Sequence, residues 1–300
     1  MAFPLIISLE KQKNFCGSKI KVLSPAKINL YLNIKGKYAN GFHRLESIIE
    51  RISLCDQISI KVTKNPIIRV SSNIKSLETE DNLIVRAAQL ITKKFNISYG
   101  FDFFLKKVIP IGAGLGGGSS NAASTLIAID IFFNLRLKKE ELYSLGKQLG
   151  SDVNFFLSQS QFAFLEGRGD KVTVLRIRNK LSHFVIWPGI FISTKKVYEK
   201  LESGRQELTK FFNNDNIMRY ALKKRDISLI KESVFNALEK KALSLYDELR
   251  LAKMHLEKCG IFARLTGSGS AFYTVGDIGP LSRIKRLVPK KWSVFKVNTF

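Results

Sequence analysis

The chain has 300 residues, 45% of them hydrophobic, which is enough for one large domain or two of ordinary size around a buried core. Its 49 basic and 25 acidic residues leave a formal charge of +24, but the Lys and Arg are dispersed rather than blocked, so phosphorylated small molecules are expected as partners, and neither a specific nucleic acid nor a membrane is. No run of 18 or more apolar residues marks a membrane span, and the widely spaced Cys16, Cys55 and Cys259 suit neither a disulfide framework nor a metal site, which fits a reducing cytoplasm.

Residues 1–18 read as an extension, with an apolar patch but no basic residue before it, a poor secretion signal. Lys19 to Ile34 reads as one or two strands around Ser24-Pro25-Ala26-Lys27. Beyond the proline, apolar Ile28, Leu30, Leu32 and Ile34 alternate with Asn29, Tyr31 and Asn33, the pattern of a half-buried strand. On its own Lys27 is an ordinary solvated lysine. A polar turn covers Lys35 to Gly41, and Phe42-His43-Arg44 after it reads as more of that turn. Ile58 to Thr63 alternates as a strand, with Ile67 to Ser71 as its expected hairpin partner. Asp81-Asn82 caps a helix reaching about Phe95, and Phe101 to Ile109 has strand composition.

Next comes Pro110-Ile111-Gly112-Ala113-Gly114-Leu115-Gly116-Gly117-Gly118-Ser119-Ser120, with five glycines in seven positions. Downstream, Ala122, Leu126, Ile129 and Phe133 carry the apolar stripe of a helix reaching about Leu135, and Ser119, Ser120 and Asn121 are all N-cap types. Glycines between a strand and a helix let backbone N–H groups close on an anion at the helix N-terminus, so this loop reads as a phosphate cradle. Neither common scheme fits. Gly112-x-Gly114-x-x-Gly117 lacks the acidic residue expected after a second strand, since Asp130 falls inside the helix. A Walker loop needs Lys after its last glycine, and Gly118 is followed by Ser119.

Lys138 to Leu149 is an amphipathic helix stopped by Gly150. Ser151-Asp152 opens a short apolar segment, Val153 to Leu157, for which Asp152 taken alone is an ordinary N-cap. Strands are expected at Phe162 to Glu166 and Lys171 to Ile177, around the turn Gly167-Arg168-Gly169-Asp170. A domain boundary is expected near Arg178 to Lys180, dividing 19–180 from 181–300. Beyond it come a strand from His183 to Trp187 stopped by Pro188-Gly189, a helix capped by Ser193 and Thr194, and helical stretches over Glu207 to Lys224, Asp226 to Lys241 and Leu243 to Lys258. A second glycine motif, Leu265-Thr-Gly-Ser-Gly-Ser270, leads into a strand from Ala271 to Val275. A basic helix follows Gly279-Pro280, and Trp292 to Thr299 closes the chain as a strand.

Three of these segments, in order, carry a resemblance. Ser24 to Leu30, Pro110 to Ser120 and Leu265 to Ser270 resemble the three motifs of the GHMP kinases, the family of galactokinase and the homoserine, mevalonate and phosphomevalonate kinases. Asn40-Gly41-Phe42-His43, Asn121 and Ser151-Asp152-Val153 further resemble the branch whose acceptor is a cytidine-diphosphate-linked methylerythritol. The likeness covers about residues 20 to 298. It implies a two-domain α+β fold, with a left-handed βαβ unit in the N-terminal domain and an active site in the cleft between domains. It implies transfer of the γ-phosphoryl of ATP to the 2-hydroxyl of that acceptor, in the non-mevalonate route to isopentenyl diphosphate, with Mg²⁺ carried by the nucleotide and no metal held by the protein alone. By position, Asp152 and Lys27 are the catalytic pair, and Pro110 to Ser120, Asn82 and Lys107 serve ATP, with Lys106 competing for the last role. Phe42 and His43 match the residues that read cytosine, Asn29 lies near the reacting group, and Pro188 with a side chain from Gly189 to Thr194 closes the far wall. Ser151, Asn154 and Phe42 depart from the commoner family residues. The rival readings are a homoserine- or mevalonate-type kinase, for which Phe42-His43 has no base to stack on, and a nucleic-acid-binding protein, which needs neither Asp152 nor Lys27.

Overall fold

The computed structural model describes residues 6–13, 15–39, 41–202 and 214–300. In chain order the elements are β1 (Ile6–Glu10), β2 (Lys19–Lys37), β3 (His43–Thr63), β4 (Ile68–Ser72), α1 (Leu83–Lys94), β5 (Gly100–Lys106), α2 (Gly117–Phe133), α3 (Lys139–Leu149), α4 (Val153–Leu157), β6 (Phe162–Gly167) and β7 (Lys171–Leu175). They continue as β8 (Ser182–Trp187), α5 (Thr194–Glu202), α6 (Asn214–Lys224), α7 (Ile227–Ser233), β9 (Phe235–Asn236), α8 (Glu239–Leu245), α9 (Asp247–Lys258), β10 (Ala263–Leu265), β11 (Phe272–Thr274), α10 (Leu281–Leu287) and β12 (Ser293–Asn298). The class is α+β, as expected. Two compact units share the chain: unit 1 holds the chain through Ala26, Leu54–Ile109 and Gly116–Gln159, and unit 2 holds Lys27–Ser53, Pro110–Leu115 and Ser160–Phe300.

In unit 1, β1 pairs antiparallel with the start of β2, so part of the N-terminal extension is an edge strand. The second half of β3 pairs antiparallel with β5, Ile60 opposite Phe103. The hairpin expected between this half of β3 and the strand after it does not form. β5 takes that edge, and β4 runs parallel to β5 on its other side, Val70 opposite Phe103. The connection passes across the start of β5 at Gly100, where a Cβ would fall 1.9 Å from the Asn65 carbonyl oxygen, so only glycine leaves room. Helix α2 is buried from Ser120 through Ile129 and at Phe132, more than the expected single stripe. Its small residues Ala122, Ala123 and Ser124 let neighbours close in on all sides, as in a central helix. Its N-cap is Gly116 in the left-handed region (φ 70°), so the expected caps Ser119, Ser120 and Asn121 lie inside the first turns instead. Asn82 does cap α1, accepting from the Ile84 N–H at 3.0 Å.

In unit 2 the first half of β3 pairs with β6, and β6 with β7, all antiparallel. A second sheet, in the order β10-β11-β8-β12, is antiparallel throughout. Helices α8 and α9 pack on it through a core that includes Leu249, Leu256, Phe184, Ile186, Phe272 and Val294. The single helix expected over Asp226 to Lys241 is broken. Phe235 and Asn236 pair in parallel with Tyr31 and Leu32 of β2. The Asn236 amide donates to the carbonyls of Leu265 and Gly267, each at 2.8 Å, and accepts from the Leu238 N–H. Buried carbonyls that need a donor outweigh the helical periodicity here. Of the helix expected over Glu207 to Lys224, α6 is the described part, and residues 203–213 lie outside the described residues. β2 is one continuous strand, and from Ser24 to Leu32 both its faces are buried, not one. The polar positions of the alternation are therefore interior, where side chains must be matched. No helix among the described residues is long and apolar enough to cross a membrane.

Candidate active site

In unit 2, Lys27 and Asn29 stand on the polar side of β2, 4% and 6% exposed. Lys27 Nζ donates to Asn29 Oδ1 at 2.5 Å, and Asn29 Nδ2 donates to Ser47 Oγ at 2.9 Å. The Ser47 hydroxyl in turn donates to the Tyr31 carbonyl at 2.7 Å. Thr266, from the late glycine motif, accepts from the Asn29 N–H at 3.1 Å, and Tyr273 donates to the Asn29 carbonyl at 2.8 Å. Each atom of Asn29 is thus committed, which fixes the direction from which Lys27 is held. The glycine loop joins the same network through its backbone. The Lys27 N–H donates to the Leu115 carbonyl at 3.0 Å, and the Ala271 N–H to the Ala113 carbonyl at 3.1 Å. Gly114 has φ 75°, and a Cβ there would fall 2.2 Å from the Thr266 carbonyl oxygen. The three sequence motifs therefore meet, and the meeting requires a residue without a side chain at 114.

The rest of the loop belongs to unit 1. Gly116 turns the chain into α2, and no side chain caps the helix, so the first-turn N–H groups and the helix dipole are available to an anion. A Cβ on Gly117 would lie 2.6 Å from Lys107 Nζ, and one on Gly118 would lie 3.3 Å from Leu83 Cδ1. Lys107 is therefore the lysine against the start of α2, while Lys106 points out of β5 and is exposed. The two serines separate as well. Ser120 is fully buried, whereas Ser119 is half-buried, its Oγ 3.7 Å from where a Cβ on Gly150 would be. That sets the Ser119 hydroxyl beside the connection that carries Asp152. Asp152 occupies the residue before α4 but does not cap it, so the ordinary N-cap role does not describe its carboxylate. Asn154 is buried in the next turn, its Oδ1 lying where a Cβ on Gly146 of α3 would be. Asn82 uses Oδ1 on the Ile84 N–H and Nδ2 on the Leu77 carbonyl, fixing its amide at the head of α1.

A second cluster lies in unit 2. Phe42 is 49% exposed, with the Arg168 guanidinium 3.5 Å above its ring centroid. The neighbouring His43 ring faces Tyr198 of α5, with centroids 5.0 Å apart and planes at 41°. Phe191, 66% exposed, stands edge-on to Trp187 and beside Gly112. Pro188 itself is buried at the end of β8. Tyr198 and Arg168 were not singled out from the sequence. Tyr198 sits among Val197 and Leu201 and reads there as part of an apolar stripe, and Arg168 reads as a turn residue. No group of three or more His, Cys, Asp or Glu side chains able to hold a metal occurs among the described residues.

The comparisons with known proteins bear on what these clusters serve. A family model described as GHMP kinases N terminal domain matches residues 82–160. The 4-diphosphocytidyl-2-C-methyl-D-erythritol kinase of Mannheimia succiniciproducens is 36% identical over 280 residues, covering 93% of this chain and 87% of its own length. That of Acinetobacter baylyi is 35% identical over 270 residues, 90% of this chain and 91% of its own. A solved structure of a 4-(cytidine 5'-diphospho)-2C-methyl-D-erythritol kinase matches with a TM-score of 0.76 at 27% identity, over 93% of this chain and 98% of that one. The mevalonate kinase of L. major, at a TM-score of 0.70 and 16% identity over 93% of this chain and 95% of its own, shares the fold alone. The chain therefore belongs to the 4-diphosphocytidyl-2-C-methyl-D-erythritol kinases, a branch of the GHMP kinases.

Proposed function

We propose that this chain transfers the γ-phosphoryl group of ATP to the 2-hydroxyl of 4-diphosphocytidyl-2-C-methyl-D-erythritol, giving ADP and the 2-phosphate, as a cytoplasmic step of the non-mevalonate route to isopentenyl diphosphate. The observation that carries this is the likeness to kinases of that name along nearly the whole chain.

The residues divide the work. Phosphoryl transfer asks little covalent chemistry of a protein and much positioning and charge stabilisation. Backbone N–H groups of the loop from Pro110 to Ser120 cradle the phosphates, Lys107 adds a positive charge at the start of α2, and Asn82 meets the adenine. Ser119 is the hydroxyl suited to help hold Mg²⁺ arriving with the nucleotide, which would offset phosphate charge there. A tertiary alcohol is a poor nucleophile near neutral pH, and Asp152 accepts its proton as the new P–O bond forms. Lys27, held by Asn29, neutralises charge that grows on the transferring group. The acceptor's cytosine stacks on Phe42, hydrogen-bonds with His43 and meets Tyr198, whose ring packs against that of His43. Homoserine and mevalonate carry no base and would leave this aromatic cluster without a role.

The test is a coupled ADP-release assay over a panel of acceptors. Turnover is expected with the cytidine-diphosphate-linked methylerythritol and not with mevalonate or homoserine. Turnover on either of the latter without the former refutes the assignment. Asp152→Asn should lower kcat by about 10²–10⁴ with binding of both substrates retained; full activity in that variant removes Asp152 as the proton acceptor.

A further inference from the structure

Asp56 carries no motif, yet both of its carboxylate oxygens are fully engaged. It projects from β3 and is fully buried. Its Oδ1 accepts from the N–H groups of Val108 and Ile109, at 2.7 and 2.8 Å. Its Oδ2 accepts from Asn121 Nδ2 at 3.1 Å and from Lys107 Nζ at 2.5 Å. One carboxylate therefore ties the segment after β5, which leads into the glycine loop, to α2, the helix that the loop enters. The ammonium it binds is the one lying against Gly117, the first residue of that helix.

We propose that Asp56 is a positioning residue for ATP: it holds the Lys107 ammonium, charged, against the opening turn of α2, where the phosphates are received. The proposal rests on the reading of Lys107 as a nucleotide ligand. The physical case has two parts. The first is geometric: a lysine side chain has four rotatable stem bonds, and the ion pair, with the two backbone bonds beside it, leaves one direction for it. An ammonium has three protons, so the one given to Asp56 leaves others for phosphate oxygens. The second is electrostatic. The Lys107 side chain is 6% exposed, and burial holds its pKa below the ordinary lysine value, while the Asp56 charge and hydrogen bond push it back up. Among the described residues, Asp56 from β3 is the charged group that meets Lys107; α2 brings the neutral Asn121 and the Gly117 backbone. Without the carboxylate, desolvation acts alone and drives the lysine toward its neutral form.

The informative variant is Asp56→Asn, which keeps an oxygen for the Val108 and Ile109 N–H groups and removes the charge. KM for ATP and for the acceptor is measured with kcat from pH 6.5 to 9.5, beside Lys107→Met and the double variant. The expected result at pH 7.5 is a KM for ATP raised roughly tenfold or more, the acceptor KM unchanged, and an ATP penalty that grows with pH from a lower onset than in the parent, since each unit of pKa is tenfold in charged fraction. The double variant should be no worse for ATP than Lys107→Met alone, because the two residues act as one unit. If Asp56→Asn does not fold, Gly117→Ala gives the same reading, since its Cβ displaces the ammonium from Asp56 and should raise the ATP KM. A Lys107→Met enzyme with parental ATP KM overturns the lysine's nucleotide role and this proposal with it. A raised KM in Lys107→Met beside parental values and pH profile in Asp56→Asn, or in Gly117→Ala where that stands in, overturns the proposal alone. A loss in Asp56→Asn that is equal for both substrates and flat with pH is that of a structural residue and also overturns it.

Discussion

The glycine loop supplies its own internal control. Gly112 and Gly114 both have positive φ, 65° and 75°, so alanine at either pays the left-handed penalty of about 1–2 kcal/mol. Their surroundings differ. At Gly112 a new Cβ meets Phe191 Cδ1 at 3.6 Å, an ordinary contact with a side chain that is largely exposed. At Gly114 it meets the Thr266 carbonyl oxygen at 2.2 Å against the 3.4 Å where ordinary contact begins, so backbone must yield by 1.2 Å. Overpacking of that kind adds about 1–3 kcal/mol. The turn after β10 that yields carries Thr266, which bonds Asn29, which in turn holds Lys27. Displacing a catalytic group by about 1 Å costs on the order of 10² in rate. Gly112→Ala should therefore lower Tm by roughly 2–4 °C and kcat/KM by less than about tenfold. Gly114→Ala should lower Tm by about twice as much or more and kcat/KM by on the order of 100-fold. Differential scanning calorimetry and initial rates on the two variants side by side decide it. Equal losses in the pair would refute the argument that the loop must pass Thr266 within contact of a missing side chain.

Further outcomes follow from the other clusters. Phe42→Ala and Tyr198→Ala should each raise the acceptor KM roughly 10–100-fold, the worth of about 1–3 kcal/mol of base stacking, and leave the ATP KM alone; an effect on ATP instead would move the cytosine reading elsewhere. Asn236→Ala leaves the Leu265 and Gly267 carbonyls without their donor and should cost about 1–3 kcal/mol per lost partner in urea unfolding; an unchanged midpoint contradicts its role in breaking the α7–α8 run. The buried pair of His183 and Glu50, joined at 3.1 Å, sets a pH dependence. Burial pushes the His183 pKa down, but the Glu50 charge and hydrogen bond and the Thr274 carbonyl more than reverse this, leaving it above 6.5. A raised folded pKa means that the stabilisation is fully present below about 6.5 and is lost as pH rises through the folded value. Glu50→Gln should therefore cost about 3–5 kcal/mol at low pH, where it strands a buried imidazolium, and less at high pH; a penalty that does not vary between pH 5.5 and 9 contradicts the ion pair.

What the sequence revealed and what it hid separate by physical cause. The glycine loop was legible because positive φ and close backbone approach leave few residue types to choose from. α1 was legible because Asn82 is a local cap and Leu83 to Lys94 a local pattern. Asp56 was hidden because it lies just before the strand expected at Ile58 to Thr63 and belongs to no motif; the groups that hold it arrive from the segment after β5 and from α2, far along the chain. Tyr198 was hidden for the reason that makes helices easy to find, since an aromatic at stripe spacing looks like core. The partner that gives it another meaning, His43, is distant in sequence. The strand order around β4 and the break at Asn236 were set by which edge and which carbonyls were already taken, and no local propensity carries that information.

The reaction proposed for this chain delivers a phosphoryl group to one hydroxyl of one acceptor. It is tested most directly by ³¹P and ¹³C NMR of the product formed from ATP and 4-diphosphocytidyl-2-C-methyl-D-erythritol. The expected product is a new phosphomonoester coupled to the quaternary C2 carbon, in one-to-one yield with ADP. A monoester on a different hydroxyl, or ADP released with only inorganic phosphate, would contradict it.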